Sequence, residues 1–491
     1  MALRAVRAGA AAEEAAPLLA ALRADLDIPE DYDPAALAEA EEAAAQDVWD
    51  DHDRVDLREV PFVTLDPPGA RDLDQAFHLA ADGDGFLLEY AIADVASYVT
   101  PGGPLDAETH RRGLTVYGPD GRNGLHPPVL SEDAASLLEG QDRRAAVWRL
   151  RFDAAGTLAD ATVRRAVVRS RAQLAYAEVQ AELDDGSASE PFVLLARLGA
   201  LRAAAQIARG GASIDVPEQE VHTDGEGEQR RYHLVSRVPL PIEDHNAHLS
   251  LATGIAAARL QREAGVGLWR TLDPADERDV DRLRGVARSL GLDWPAEQGY
   301  GAFAAGLQVG DPAAAAFATE AVRLFRGAGY VAFGTPSAPQ VPEGATHSAI
   351  AAEYAHVTAP LRRLVDRYGT EIALAHCAGT PVPAWVSGAL ETMPGIMAAS
   401  ASRANTYDRQ AVDLLEALVL RDRVGQRLRA LVLNAGRPKE DGVRADVLLS
   451  DPVVRTRVVG PEGALRPGTH VDVVIRAVDV PQRQVELALS S

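Results

Sequence analysis

The C-terminal stretch, residues 424–491, constrains the fold more tightly than any other part of the sequence. Five short β-type segments follow one another here: RLRALVLNA, RADVLLSD, TRVVG, HVDVVIRAVDV and RQVELALS. Turn signals lie between them, such as the PEG and RPG triplets at 461–463 and 466–468. Five short strands in a segment of this size suit a small closed barrel of the OB type, because closure leaves no unpaired sheet edge.

The rest of the 491-residue chain divides into two parts by composition and predicted secondary structure. A chain of this length is too long for one compact core, so more than one domain is expected. Residues 1–58 are rich in Ala and Glu, and this helical segment is either a packing or linker element or a nucleic-acid-binding module. Residues 59–423 mix strands such as VPFVTL with helices such as LSLATGIAAARLQREA. We therefore predict an α+β protein with a helical N-terminus, a mixed α/β core and a C-terminal barrel.

Several classes of protein are disfavoured by composition. No apolar run approaches the ~20 residues of a membrane span, and the N-terminus lacks the apolar region of a signal peptide. Cys377 is the only cysteine, which excludes a disulfide or a cysteine zinc site within the chain and favours a cytoplasmic setting. Cys377 itself is interpreted as a small buried hydrophobe. Nothing in the sequence indicates a membrane or a protein partner.

The net charge of −23 argues at first against a nucleic-acid partner. Proteins that bind polyanions normally do so through basic patches. A net charge is a sum over the whole surface, however, and positive charge confined to a channel can coexist with it while metal ions screen the phosphates. The acidity therefore does not exclude an RNA substrate.

Three aspartates lie close together in LDPPGARDLDQA, at the end of a predicted strand. A Pro-Gly turn after Asp66 folds it back towards Asp72 and Asp74, and in extended backbone the i, i+2 spacing places those two on one face. Carboxylates this close repel one another unless a cation lies between them, and hard oxygen ligands suit Mg²⁺ or Mn²⁺. Metal ions held in this way activate water and stabilise the attacking and leaving oxygens in phosphoryl transfer.

The aspartate cluster has three other interpretations. A solvated acidic loop is the ordinary alternative in a chain with 72 Asp and Glu residues. An EF-hand counted from Asp72 needs Gly at its sixth position and Glu at its twelfth, where this chain has Phe77 and Gly83. A phosphatase of the Asp-x-Asp type would have its first Asp directly after an apolar strand, whereas Asp72 follows Gly-Ala-Arg.

A second polar constellation lies in YAHVTAPLRRLVDRY. Pro360 suits the first turn of a helix, which would then present Arg362 and Asp366 along one side. An arginine at a helix start beside a metal site is placed to hold a phosphate by charge-assisted hydrogen bonds. An amphipathic helix with Arg363 and Arg367 in water is an equally good interpretation of these residues alone.

Together these two stretches resemble the catalytic domain of the ribonuclease II/R (RNB) family of exoribonucleases. The similarity includes VTLDPPGARDLDQA, AIADVASYV, RRGLTVYGPDGRNGLHPPVLSEDAASL, VRSRAQLAYAEVQAEL and YAHVTAPLRRLVDRY, in the family's order from about residue 60 to 420. An OB-fold after this domain is the family's usual RNA-binding module, and HVDVVIRAVDVPQRQVELAL is similar to its last two strands. The resemblance implies an RNB catalytic domain at 59–423 and an OB-fold barrel at 424–491.

The resemblance also implies roles for individual residues. Asp66, Asp72 and Asp74 match the metal-binding and catalytic aspartates, and Asp74 lies where the family depends most on a carboxylate. Arg362 matches the catalytic arginine that holds the scissile phosphate. Tyr117 matches an aromatic residue that clamps the 3′ base, and Tyr176 matches a tyrosine that positions the terminal nucleotides. Without the family context, both are equally well interpreted as ordinary half-buried tyrosines. The implied RNA-binding set is Tyr117, Tyr176, His356, Arg362 and Arg363.

The chain departs from the family pattern in three places. Gln75 stands where the family usually has a fourth aspartate; its amide oxygen can still bind a metal, but a charge is lost and a weaker site is expected. Val266 takes the position of a second base-stacking aromatic, and the nearby Trp269 would have to point differently. The long forms of the family begin with tandem cold-shock domains, which the 1–58 segment cannot form because it is short and helical.

The resemblance therefore implies a 3′→5′ exoribonuclease that degrades single-stranded RNA processively to nucleoside 5′-monophosphates. Mg²⁺, with Mn²⁺ as a substitute, would be held by Asp66, Asp72, Asp74 and Gln75. One alternative is an RNA-binding member of the family whose catalysis is weak or lost because of Gln75. Another is a metal-dependent phosphatase or an acidic scaffold that acts on proteins, and the OB-like C-terminus disfavours it.

Overall fold

A computed structural model describes residues 10–49, 54–212, 218–224, 231–237, 239–307, 311–436, 442–450 and 454–490. Their strands, in chain order, are β1 (Ala10–Ala11), β2 (Val55–Asp56), β3 (Phe62–Asp66), β4 (Gln75–Asp82), β5 (Gly85–Ala93), β6 (Val116–Gly118), β7 (Gly121–Asn123), β8 (Asp142–Phe152), β9 (Leu158–Ala175), β10 (Glu218–Asp224), β11 (Arg231–Arg237), β12 (Gly267–Thr271), β13 (Gly329–Phe333), β14 (Arg427–Ala435), β15 (Val443–Leu449), β16 (Arg455–Gly460), β17 (His470–Asp479) and β18 (Gln484–Leu489).

The α-helices of the same residues are α1 (Ala12–Asp25), α2 (Pro34–Ala44), α3 (Pro104–Arg112), α4 (Tyr176–Asp185), α5 (Glu190–Ala208), α6 (Pro241–Ala264), α7 (Glu277–Ser289), α8 (Tyr300–Ala304), α9 (Pro312–Ala321), α10 (Leu364–Ala378), α11 (Ala384–Ala389) and α12 (Met393–Arg421). Helices and strands alternate through the middle of the chain, and strands alone make up its C-terminal part. The predicted α+β architecture is confirmed.

The centre of the molecule is a six-stranded sheet in the order β2-β9-β3-β4-β5-β8. It closes on itself because the long strand β9 pairs antiparallel with β8 along its first part and parallel with β3 along its last part. β3 and β4 are antiparallel, with Val63 opposite Phe77. The end of β3 and the start of β4 therefore lie side by side at one edge of the sheet.

Each face of the sheet buries apolar side chains against helices. On one face, aromatic and aliphatic residues such as Phe77 and Trp148 pack against Leu195 of α5 and Leu249 of α6. On the other face the sheet presents small residues, and α2 packs against them through its own alanines, among them Ala36. Removal of this apolar surface from water is the main favourable contribution to the fold.

The helix α5 has the length and composition of a membrane-spanning helix: it has 19 residues and a mean hydropathy of 1.3. Core helices of proteins outside membranes can have the same length and hydropathy. Here Phe192, Leu195 and Leu198 face the main hydrophobic core, whereas Val193 and Arg197 on the opposite side are exposed. The packing of α5 is that of a core helix with one buried face.

The C-terminal strands form a closed five-stranded barrel in the order β14-β15-β16-β18-β17, as predicted. Its core consists of alternating side chains such as Val447 and Val473, and Leu420 from the end of α12 extends that core. On the outside, Ala316 of α9 packs against Leu431 and Leu433 of β14. The barrel is thereby held both by α12 and by the helical region between β12 and β13.

The N-terminal helices share cores with the rest of the molecule. α1 packs against α12, where Leu19 and Leu22 meet Leu414 and Leu418. The strand β2, Val55–Asp56, already pairs with β9, so the central sheet begins a few residues before the predicted boundary at 58.

Two predictions are wrong in detail. The helix expected to contain Pro360 in its first turn begins only at Leu364, because residues before it donate and accept hydrogen bonds outside any helix. Cys377, interpreted as a buried hydrophobe, is exposed near the C-terminal end of α10.

Candidate active site

A cavity of about 450 Å³ lies beside the segment that joins β3 to β4. The antiparallel register of these strands brings Asp66, at the end of β3, close to Asp74 just before β4. Side chains from α4, α6 and the β6–β7 hairpin complete the wall. The described lining residues are Leu65, Asp66, Pro67, Ala70, Asp72, Asp74, Gln75, Phe77, Tyr90, Tyr117, Tyr176, Asn246 and Arg362.

The segment between the two strands is held in an extended form by its neighbours. Leu73 is fully buried in the hydrophobic core, and its N–H donates to the Oγ of Ser136 at 2.9 Å. The same hydroxyl donates to the carbonyl of Arg71 at 2.5 Å. Because successive side chains in extended backbone point to opposite sides, burial of Leu73 directs Asp72 and Asp74 towards the cavity.

Asp74 is buried in the wall of the cavity, and Asp66 beside it is half-buried. The Oδ1 of Asp74 accepts the N–H of Leu361 at 2.7 Å, and the Nε of Arg362 lies 3.5 Å from its Oδ2. Burial raises the pKa of Asp74 to about 7, although Arg362 and the Leu361 N–H oppose this rise. Burial, reinforced by the Asp72 carboxylate, raises the pKa of Asp66 to about 6. Local positive charge therefore does not fully offset the burial of either group.

Asp72 lies nearer the rim and has protein partners on both oxygens. Its Oδ1 is 2.5 Å from an Nη atom of Arg122, and its Oδ2 accepts the hydroxyl of Tyr117 at 3.1 Å. Arg122 also contacts Glu132 at 2.7 Å. The ring of Tyr117 is about half exposed at 48%, so it lies open at the mouth of the cavity. Arg122 was not foreseen from the sequence, where one arginine among many gives no signal.

Arg362 comes from the irregular segment before α10. Its backbone carbonyl accepts the N–H of Thr115, which ties this segment to the strand leading into the β6–β7 hairpin. Its side chain is 44% exposed and approaches the described carboxylates only at Asp74. A guanidinium so placed retains donors that can bind an incoming anion.

Gln75 and Tyr90 form the back of the cavity. The hydroxyl of Tyr90 donates to the Oε1 of Gln75 in a short hydrogen bond. Tyr90 is almost fully buried, and burial raises the pKa of its hydroxyl well above the usual value, so it stays a donor. The amide oxygen predicted to bind metal is thus already used by a neighbouring hydroxyl.

Tyr176 and Asn246 lie together on the helical side of the cavity. Tyr176 begins α4, and its hydroxyl accepts the side-chain amide of Asn246 on α6 at 3.1 Å. Asn246 was not foreseen, because a single polar residue in a long amphipathic helix carries no functional signal in the sequence. The pair adds neutral hydrogen-bonding groups opposite the carboxylates.

Arg363 and His356 are absent from the described wall of the cavity, and each has a partner elsewhere. Arg363 makes a two-pronged ion pair with Asp366, at 2.8 and 2.9 Å, in the first turn of α10. His356 shares a hydrogen bond of 2.7 Å with the hydroxyl of Tyr330, and burial lowers its pKa well below the usual range. The RNA-binding roles of Arg363 and His356 stay predictions.

The two candidates for a second base-stacking group are also away from the described wall. Val266 packs among apolar residues around α10, and Trp269 is fully buried, with its ring 4.8 Å from that of Phe333. Trp269 points into the core and does not replace the missing aromatic in the described wall of the cavity.

The family model of the RNB domain matches residues 54–373. The chain belongs to the RNB family. A second family model, the RNase II-type exonuclease C-terminal S1 domain, matches residues 426–490, which form the barrel. The recognition made from the sequence motifs is thereby confirmed for both parts of the chain.

Individual RNB relatives extend the comparison. The chain is 27% identical over 476 residues to ribonuclease R of Aquifex aeolicus (strain VF5), and this match covers 89% of the chain but 65% of that relative, less than two thirds of its length. The solved structure of Mycoplasma genitalium RNase R in complex with ribose methylated single-stranded RNA matches with a TM-score of 0.84 at 18% identity, covering 97% of this chain and 78% of that one. Yeast Ssd1, a pseudonuclease, matches with a TM-score of 0.66 at 16% identity, covering 86% of this chain and 53% of its own. The two structures share the fold.

RNB nucleases generally depend on a divalent metal, and the cavity fits such an ion in its chemistry. Carboxylate and amide oxygens line it, which are the ligands of hard cations, and Asp66 and Asp74 are buried without full charge compensation. Within the described ranges, however, no three acidic, His or Cys side chains converge as a ready-made cluster. Asp66 and Asp74 carry the available carboxylate oxygens. Asp72 would join them if its contact with Arg122 were replaced by a contact with the ion.

Proposed function

We propose that this RNB-family protein hydrolyses single-stranded RNA from its 3′ end and releases nucleoside 5′-monophosphates processively. The observation that carries the proposal is the meeting of Asp66, Asp72 and Asp74 with Arg362 in one cavity, from stretches far apart in the sequence. A volume of about 450 Å³ is in the range for one small ligand, so a terminal nucleotide is the unit that fits. We also propose a cytoplasmic location.

Each residue of the cavity has a proposed role that follows from its position. Arg362 binds the scissile phosphate and stabilises its developing negative charge. The Leu361 N–H fixes the orientation of Asp74. The half-exposed ring of Tyr117 offers a face for the terminal base, and the Tyr176–Asn246 pair offers hydrogen bonds to the sugar. Mg²⁺, with Mn²⁺ as a substitute, held by Asp66, Asp72 and Asp74, with Gln75 as a fourth predicted oxygen ligand, would supply activation of water and charge neutralisation.

The first test replaces Asp74 by Asn. Asp74→Asn keeps the shape and removes the charge, so degradation of a 5′-labelled oligonucleotide should fall by about a thousandfold or more, while RNA binding changes little. Asp82→Asn is the matched control, since Asp82 lies at the far end of β4 and pairs with the exposed Arg151. Degradation by the Asp74 variant at the parental rate would remove the basis of the site assignment.

A second candidate function is RNA binding without cleavage. It is favoured by Gln75 in place of an aspartate, by the Arg122 contact to Asp72 and by the shared fold with a pseudonuclease. Oligo(A) incubated with Mg²⁺ and then with EDTA separates the two. Shortening that stops on chelation supports the nuclease, and tight binding with an intact oligonucleotide supports the alternative. Labels at the 3′ or 5′ end establish the direction of digestion.

A further inference from the structure

The hairpin that reaches the cavity has little structure of its own. We call it the cavity hairpin: β6 (Val116–Gly118), β7 (Gly121–Asn123) and the turn between them. Its two strands pair with each other in a separate two-stranded sheet. Isolated two-stranded hairpins are marginally stable in water, so the position of this one depends on contacts to other elements. Two of its residues, Tyr117 and Arg122, contact Asp72.

The tip of the cavity hairpin is held by α1. One Nη of Arg23 lies 2.9 Å from each carboxylate oxygen of Asp120 and 2.9 Å from the hydroxyl of Tyr407 on α12. Both side chains of the ion pair are largely buried, 13% and 16% exposed. A partly buried charge-assisted contact is stronger than an exposed ion pair and fixes the geometry of the groups it joins.

The returning strand is held by the segment between α1 and α2. The hydroxyl of Tyr32 lies within hydrogen-bonding distance of the carbonyl oxygens of Gly124, at 2.8 Å, and His126, at 2.7 Å. The side-chain amide of Asn123 donates to the carbonyl of Pro29 at 3.3 Å. These contacts fix the backbone that immediately follows β7, two residues after Arg122.

The charge of the N-terminal segment makes it a poor surface for RNA. Between residues 10 and 49 the sequence has one basic residue, Arg23, and many Asp and Glu residues. Arg23 is already committed to Asp120 and to Glu30, the latter at 3.1 Å. A polyanion would meet net repulsion here.

We propose that residues 10–49 act as a positioning element for the cavity: Arg23 and Tyr32 hold the cavity hairpin so that Tyr117 and Arg122 stay aligned with Asp72. This inference rests on the proposed function, because the RNA end is what the aligned Tyr117 receives. Arg23 and Tyr32 are positioning residues, since neither lines the cavity. Besides the hairpin region and α12, Arg23 contacts Glu30, and the Tyr32 ring contacts the guanidinium of Arg112.

Each variant in the test removes one of the contacts that hold the cavity hairpin. Arg23→Ala should raise the KM for a short 3′-end substrate about threefold to tenfold and change kcat less than about twofold, because a misaligned binding group weakens capture of the substrate. The matched control is Arg421→Ala, which breaks another α1–α12 ion pair, to Glu14, far from the hairpin. Tyr32→Phe removes only a hydroxyl and gives a second, milder variant.

A double-mutant cycle shows whether Arg23 acts through Tyr117. In the Tyr117→Ala background, Arg23→Ala should raise KM less than it does in the parent, since one of the two groups that it positions is gone. Additive effects would overturn the inference, as would an equal rise in KM for Arg421→Ala.

Hydrogen–deuterium exchange separates this inference from the proposed function. Peptides covering residues 116–123 should exchange faster in Arg23→Ala and Tyr32→Phe than in the parent or in Arg421→Ala. Unchanged exchange overturns the inference whatever the activity. If exchange is faster in these two variants while the parent protein leaves RNA intact, the positioning role is supported and the nuclease function is rejected.

Discussion

At the scale of single residues, Gln75 is one of the three positions where this chain departs from the pattern that the sequence resemblance implies. Its amide oxygen accepts the Tyr90 hydroxyl at the back of the cavity. A carboxylate there would add negative charge beside Asp66 and Asp74, whose raised pKa values already indicate under-compensated burial. The glutamine therefore lowers repulsion in the metal-free protein at the expense of metal affinity.

This argument predicts that Gln75→Asp tightens metal binding. The Mg²⁺ concentration for half-maximal RNA degradation should fall by roughly tenfold, because affinity for hard cations follows the number of charged ligands. Titration of the degradation rate with Mg²⁺ measures it. Gln46→Asp, which adds the same charge at an exposed position just beyond α2, should leave the Mg²⁺ dependence unchanged. An unaltered midpoint in the Gln75 variant would show that this side chain does not face the ion.

At the scale of elements, the sequence predicted those parts that local pattern determines. The strand-like run VPFVTL identified β3, and the i, i+2 spacing placed Asp72 and Asp74 on one side. The predicted start of α10 is wrong because the backbone just before it makes other hydrogen bonds. The N–H of Leu361 donates to Asp74 and the carbonyl of Arg362 accepts the N–H of Thr115, and both partners lie far away in the sequence. Such long-range bonds leave no local trace, and the same holds for the contacts of Asn246 and Arg122.

The carboxylate segment offers a prediction at this scale, through Ser136. Its hydroxyl satisfies both the N–H of the buried Leu73 and the carbonyl of Arg71. Ser136→Ala leaves both groups unpaired and should lower the free energy of unfolding by about 1–3 kcal/mol. RNA degradation should fall on the order of tenfold to a hundredfold, because the aspartates lose their register.

Urea unfolding and single-turnover degradation measure the two effects of Ser136→Ala. Ser387→Ala is the control, since Ser387 is exposed on α11 and bonds only within its own helix region. A loss of stability with an unchanged rate would mean that the segment keeps its position without Ser136.

At the scale of the whole molecule, the net charge of −23 means that the RNA binding proposed above requires local concentrations of positive charge. One such place joins α12 to the barrel, where Arg409, Arg457 and Arg483 surround the half-buried Asp413. Burial raises the pKa of Asp413, and the three guanidinium groups partly offset this rise. Arg457 is 82% exposed, and its Nε lies 3.2 Å from the Oδ1 of Asp446, so its guanidinium faces solvent with one carboxylate beside it. The barrel is fixed to the body by α9 and α12, so this cluster keeps a constant relation to the cavity.

If the 3′ end occupies the cavity as proposed, we expect the Arg409, Arg457 and Arg483 cluster to bind a more distant part of the RNA chain. Replacing all three by Ser should weaken binding of a 20-nucleotide RNA on the order of tenfold to a hundredfold and lower the slope of log Kd against log salt by about two, since each phosphate contact on a single strand contributes roughly 0.7. A four-nucleotide substrate should be degraded at the parental rate, because it lacks the more distant part of the chain that this cluster is expected to bind. The control replaces three exposed arginines on other surfaces, Arg149, Arg278 and Arg288, and should alter neither substrate. Equal weakening of long and short RNA by the first triple variant would place the cluster at the cavity, and an unchanged salt slope would mean that the RNA chain follows another path.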